Sequence, residues 1–166
     1  MLFRSGAARA APAADPLPTV RGVDLCRFAG RWHEVARLPN AFQAGCCGST
    51  ACYSVRGDGT LGVRNTCTKR SGREVSVEGT AVPVPGSGNG RLRVRFDGLA
   101  RLVPVPREGN YWIIALDDDY RYAMVGTPDR RFLWILSRTP ALDPEVEACL
   151  RRRAARLGFD VERLVR

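Results

Sequence analysis

Along most of the chain, apolar and polar residues alternate in short runs, with clusters of glycine, proline, asparagine and aspartate between them. A period of two marks a strand with one buried face. The runs predict strands at Trp32–Leu38, Ser49–Arg56, Leu61–Thr68, Glu74–Val82, Arg91–Phe96, Tyr111–Leu116, Tyr120–Val125 and Phe132–Leu136. Gly57-Asp58-Gly59 joins the second and third as a hairpin, since glycine accepts the positive φ that a tight turn requires. One stretch follows the helical period instead. Val146, Cys149, Leu150, Ala154 and Leu157 share a face, Asp143 and Pro144 open the helix, and Gly158 stops it. Phe159–Leu164 reads as a short final strand, and ordered structure is expected from about Val23. Short strands at hairpin spacing point to an up-and-down barrel or a sandwich.

Composition narrows this picture. The chain has 166 residues, suited to one domain, and its 45% apolar content fits a packed core. No apolar run approaches the roughly 18 residues of a membrane helix. The net charge is +9 and Lys69 is the only lysine. Arginine excess suits phosphate recognition, and it equally suits a codon-biased genome. No nucleic-acid partner is expected. Arg151, Arg152, Arg153 and Arg156 crowd the end of the helix, where its dipole favours cations, and no aromatics interleave them for base stacking. The six cysteines form no pair of CxxC motifs and His33 is the single histidine, so neither a metal site nor a cofactor is expected, and disulfides in an exported protein are. Residues 1–22 are read as a disordered segment or the remnant of an export signal, with Ala11-Pro12-Ala13 resembling a cleavage site; residues 23–166 are read as the domain.

The ordered set Gly30-x-Trp32-x-Glu34, Asp117 with Tyr120, and Ser137-Arg138 ahead of a helix resembles the lipocalins, and within them the bacterial outer-membrane lipoprotein type and the relatives around apolipoprotein D. The similarity runs from about Val23 to Val165. It implies an all-β fold: an eight-stranded antiparallel up-and-down barrel with one C-terminal helix packed outside and one open mouth. Counting strands up and down places Trp32, Gly57-Asp58-Gly59, Asp117 and Arg138 at the closed end. The resemblance sets Arg138 across Trp32, so Gly30, Trp32, Asp117, Tyr120 and Arg138 are structural. Leu116-Asp117-Asp118 departs from the Thr-Asp-Tyr triplet usual in many relatives.

A barrel of this size holds one small ligand. Alternation places Leu136, Trp134 and Phe132 inside, and pairing as in the family adds Tyr111, Ile113, Ala115, Ala123 and Val125. Ala51, Tyr53, Val55, Leu61, Val63 and Asn65 line other walls; Glu34 and Ala36 follow Trp32 inward, and Phe42 covers the mouth. A slip of one residue would invert any of these faces. Glu34 is expected to be a satisfied structural group with an arginine or tyrosine partner, His33 to point outward, and Cys149 to be a packed thiol. By the same tracing Cys46 and Cys67 both reach the mouth and form a disulfide, with Cys47 as the alternative to Cys46.

The implied function is binding, storage or transport of a lipophilic molecule without chemical change: a fatty acid, lysophospholipid or similar membrane-derived amphiphile. The alternatives are an isomerase or de-epoxidase of the same fold, or a haem or tetrapyrrole carrier. The basic surface suggests anionic lipid or a membrane surface as a further partner, and the protein acts as a monomer or homodimer. Export to the periplasm or outer membrane is expected; relatives are often lipoproteins there, and this chain shows no lipobox-like cysteine near its start.

Overall fold

A computed structural model describes residues 15–166. The cleavage-site reading at Ala11–Ala13 lies outside them. Eight strands run β1 (Gly30–Arg37), β2 (Cys46–Val55), β3 (Leu61–Lys69), β4 (Glu74–Pro83), β5 (Arg91–Phe96), β6 (Tyr111–Leu116), β7 (Tyr122–Gly126) and β8 (Leu133–Ser137). Each pairs antiparallel with the next and β8 returns to β1, closing a barrel in sequence order. Helix α1 (Leu25–Phe28) precedes β1, and α2 (Pro144–Arg156) follows β8.

Local chemistry explains most boundaries. Asp58 accepts hydrogen bonds from the Thr60 backbone and hydroxyl at the β2–β3 turn, with Gly59 at φ +81°. Asp143 caps α2 by accepting from the Glu145 N–H, and Gly158 takes φ +89° at its end. Tyr120, expected to open a strand, sits at φ +58° in the turn after Asp117, so β7 starts two residues later. Phe132 likewise precedes β8.

Two apolar layers form. The barrel interior packs Trp32, Tyr53, Leu61, Val63, Leu92, Ile113, Val125 and Leu136 with Phe28 of α1. The outer layer places Leu150 and Ala154 of α2 over Val35, Ile114, Met124 and Ile135. Fully burying one such side chain contributes roughly 1.5–3 kcal/mol. Helix α1, absent from the pattern reading, plugs the closed end: Phe28 lies 5.1 Å from the Trp32 ring and 5.4 Å from Tyr53, and its carbonyl accepts from Trp32 Nε1 at 2.8 Å.

Four further expectations change. Packing starts before Val23, because Leu17 is buried and the Val20 N–H donates to the Ile113 carbonyl. Phe159–Leu164 is no strand; Val161–Arg163 is a 3-10 turn, and Val165 alone bridges to Arg37. Cys149 is exposed, while Glu147 is buried between Arg151 and Arg166. Ala36 and Ala115 belong to the outer layer. Register shifts at Glu34/Ala36 and Ile113/Ala115 insert an extra residue, which exchanges the two faces beyond each bulge.

Candidate functional site

The closed end fixes the frame of the site. Arg138 stands 3.8 Å above the Trp32 ring and donates to the carbonyls of Arg27, Phe28, Arg31 and Tyr120. Gly30, at φ +96°, leaves room for that guanidinium: a Cβ there would lie 3.2 Å from Nη1. Tyr120 accepts the Asp24 N–H at its hydroxyl and carries Arg27 on its ring. Arg121, bonded to both carboxylate oxygens of Asp117, holds that carboxyl at about 2. The five signature residues thus meet around one end of the barrel.

The opposite end is bounded by the loops after β1, β3, β5 and β7. Above the packed floor, Tyr53 and Tyr111 share a hydroxyl–hydroxyl hydrogen bond of 2.8 Å, and burial pushes both phenols up. Asn65, opposite interior Ala51, has a buried Oδ1 without a hydrogen-bond partner. Val75 and Val77 oppose Cys67 and Asn65 on the same face, yet remain exposed, so this part of the wall borders open space.

One polar network spans the entrance. Asn40 caps a 3-10 turn, Ala41–Gln43, and this turn brings Gln43 inward. The Gln43 amide donates to Glu34 at 2.6 Å and Ser49 at 3.2 Å; its oxygen accepts from Asn40 and from Trp134 Nε1 at 3.0 Å. Burial raises the Glu34 carboxyl, offset in part by Gln43 and Arg37. Glu34 therefore takes its hydrogen bond from an amide of the entrance loop rather than from the expected arginine or tyrosine, and Arg37 acts on it only through charge. Beside the network, Phe132 stacks on Trp134 at 6.0 Å, and Phe42, 82% exposed, lies 6.0 Å from Phe132. An aromatic path thus leads from the rim to the interior.

Of the expected lining, Glu34, Tyr53, Val63, Asn65, Tyr111, Ile113, Val125, Trp134 and Leu136 share the interior face, Phe42 and Phe132 stand at the rim, and Ala36 is excluded. Val55 is exposed at the end of β2. Arg37, opposite interior Trp134, takes the inward position past the bulge. Neither Arg37 nor Gln43 carries a sequence signal for its role, since a bulge and a loop contact are tertiary events. Cys46 and Cys67 are joined by a disulfide, Cα to Cα 5.4 Å, tying the entrance loop to β3, while Cys47 is free.

Comparison with known proteins agrees with this geometry. The family model of a lipocalin-like domain matches residues 23–166. Outer membrane lipoprotein Blc of Escherichia coli K12 is 40% identical over 147 residues, covering 88% of this chain and 79% of its own. Temperature-induced lipocalin-1 of Arabidopsis thaliana is 35% identical over 150 residues, covering 89% and 80%, and mouse apolipoprotein D is 31% identical over 154, covering 89% and 77%. Insecticyanin from the tobacco hornworm Manduca sexta shares the fold, with a TM-score of 0.67 at 22% identity, covering 92% of this chain and 84% of its own. By its fold, its closed-end signature and these relatives, the chain belongs to the lipocalin family.

Proposed function

We propose that the barrel binds and carries a small lipophilic ligand: a fatty acid, lysophospholipid or similar membrane-derived amphiphile. The observation that carries this reading is the aromatic path Phe42–Phe132–Trp134, which ends at the Glu34–Gln43 network above the buried tyrosine pair. An acyl tail gains roughly 0.8 kcal/mol per buried methylene before the cost of ordering it, and the polar groups fix its head. The test is native mass spectrometry of protein purified from its own host, joined to titration of Trp134 fluorescence with fatty acids and lysophospholipids. A co-purifying lipid and quenching are expected; an empty barrel that fails to respond overturns the reading.

The rim supports a membrane surface as the source of that ligand. Phe42, Leu99, Leu102 and Val103 are exposed on mouth loops, interspersed with Lys69, Arg70, Arg73, Arg101 and Arg107. Apolar side chains among cations suit the interface of an anionic bilayer. Co-sedimentation with vesicles containing phosphatidylglycerol, lost in Leu99→Asp/Leu102→Asp, is expected; equal binding of both proteins overturns it. A relative named as an outer membrane lipoprotein supports an exported, envelope-associated protein.

A further inference from the structure

The β1–β2 ladder runs from Gly30↔Tyr53 to His33↔Thr50 and stops. Beyond it β1 pairs with β8, and its last residue bridges to Val165. Strand β2 continues alone against β3. The two strands therefore part in their upper halves, and a cleft of about 340 Å³ lies between them, bounded outside by Pro140–Leu142 and Arg166. Its lining mixes both faces of the wall: Glu34, Arg37 and Ser49 from the inner face, Thr50 and Thr68 from the outer.

Arg37 is the anomaly in this cleft. The residue is 7% exposed, yet none of the four ion pairs among the described residues includes it. Its Nε is buried without a partner, and Nη2 makes two bonds at 3.4 Å, to the carbonyls of Gln43 and Cys46. A buried guanidinium with so few acceptors is costly unless an anion joins it. Neither nearby carboxylate forms an ion pair with it: Glu34 is hydrogen-bonded to Gln43 and acts on Arg37 only through charge at longer range, and Glu147 is held by Arg151 and Arg166.

We propose that this side cleft is a binding site for a single phosphate or carboxylate group, with Arg37 as the residue that holds it. Guanidinium geometry matches both groups through paired hydrogen bonds, and the hydroxyls of Ser49, Thr50 and Thr68 line the same cleft. In its fullest form the proposal rests on the lipid-binding reading above. The anion is then the head of an amphiphile whose tail lies in the barrel, leaving through the wall between β1 and β2 instead of through the mouth.

Cys47 permits a direct test, because its free thiol lines the cleft, whereas exposed Cys52 on the same strand does not. Lysophosphatidic acid and a monoacylglycerol of the same chain length are titrated against Trp134 fluorescence, and alkylation of Cys47 and Cys52 by iodoacetamide is followed by peptide mapping. The wild type is expected to prefer the phosphate lipid by about tenfold or more. Arg37→Gln removes that preference and keeps monoacylglycerol binding, while Arg37→Lys retains part of it. Lysophosphatidic acid slows alkylation of Cys47 and leaves Cys52 unchanged. Protection by inorganic phosphate alone identifies free phosphate as a sufficient ligand; protection by the lipid only identifies a headgroup. Equal affinity for the two lipids, or an equal loss of both in Arg37→Gln, overturns the site and leaves Arg37 as a support of the entrance loop. Phosphate protection without binding of either lipid keeps the site and overturns the lipid reading; no response to any probe overturns both.

Discussion

The guanidinium of Arg138 and the indole of Trp32 stack at 3.8 Å, the closest cation–ring pair among the described residues, and Arg138 adds hydrogen bonds to four carbonyls. It thereby ties β1, α1 and the β6–β7 turn together at the closed end. Arg138→Ala is expected to lower stability by about 2–3 kcal/mol, as it loses the stack and leaves the carbonyls poorly paired. Arg138→Lys keeps the charge without the planar fork and falls between the two. Urea unfolding measures both; an unchanged midpoint for Arg138→Ala contradicts the assignment.

The Cys46–Cys67 disulfide closes a loop with a sequence separation of 21. The chain-entropy model gives about 3 kcal/mol for such a loop. Reductant is expected to lower the melting temperature of the wild type and to have no effect on Cys46→Ser/Cys67→Ser. Cys47→Ser should leave the reductant response intact, because Cys47 is not in the bridge.

Glu34 sets a dependence on pH. Burial raises its carboxyl above the ordinary value of 4.5. Between that value and the raised one, the folded protein holds a proton that the unfolded chain has released, so stability falls as pH rises through this window. Below the window both states are protonated and the penalty vanishes. Glu34→Gln keeps an amide oxygen to accept from Gln43 and never ionises. It is expected to match the wild type in acid and to exceed it at neutral pH, in urea unfolding at a series of pH values. The reverse ordering at neutral pH would show that ionised Glu34 stabilises the fold.

Tyr53 and Tyr111 satisfy one another. Removing either hydroxyl strands the other, which costs about 1–3 kcal/mol, whereas removing both leaves an apolar pair. Tyr53→Phe and Tyr111→Phe should each destabilise, and the double variant less than the sum. Strict additivity would mean that water already serves both hydroxyls.

Strand order and the closed-end signature were legible because both depend on local chemistry: alternation, the Gly57–Gly59 hairpin, the Asp143 cap and the Gly30-x-Trp32 pattern. Faces were legible as far as Glu34 and Ile113, and failed at Ala36 and Ala115, where a bulge inserts a residue that no alternation announces. Glu34 was marked as a buried carboxylate, yet its partner, Gln43, depends on how a loop folds back. Cys149 shares the apolar stripe of α2 at helical spacing, yet it is exposed while Glu147 is buried and paired with Arg151 and Arg166, the latter a tertiary contact that spacing does not announce. Helix α1 is too short for periodicity to reveal, and its position depends on contacts with Trp32 and Tyr53.

The split loyalty of β1 also orders assembly in time. Its first half pairs with β2, which leaves the ribosome soon afterwards, while Glu34–Arg37 pair only with β8 and Val165. Such distant pairings form late, since the intervening chain must first be brought together. The half of β1 that bears Glu34 and Arg37 is thus among the first segments synthesised and the last to find its neighbours. A nascent or truncated chain can carry a hairpin core and still lack any place for a ligand, so ligand capture itself reports that the barrel has closed.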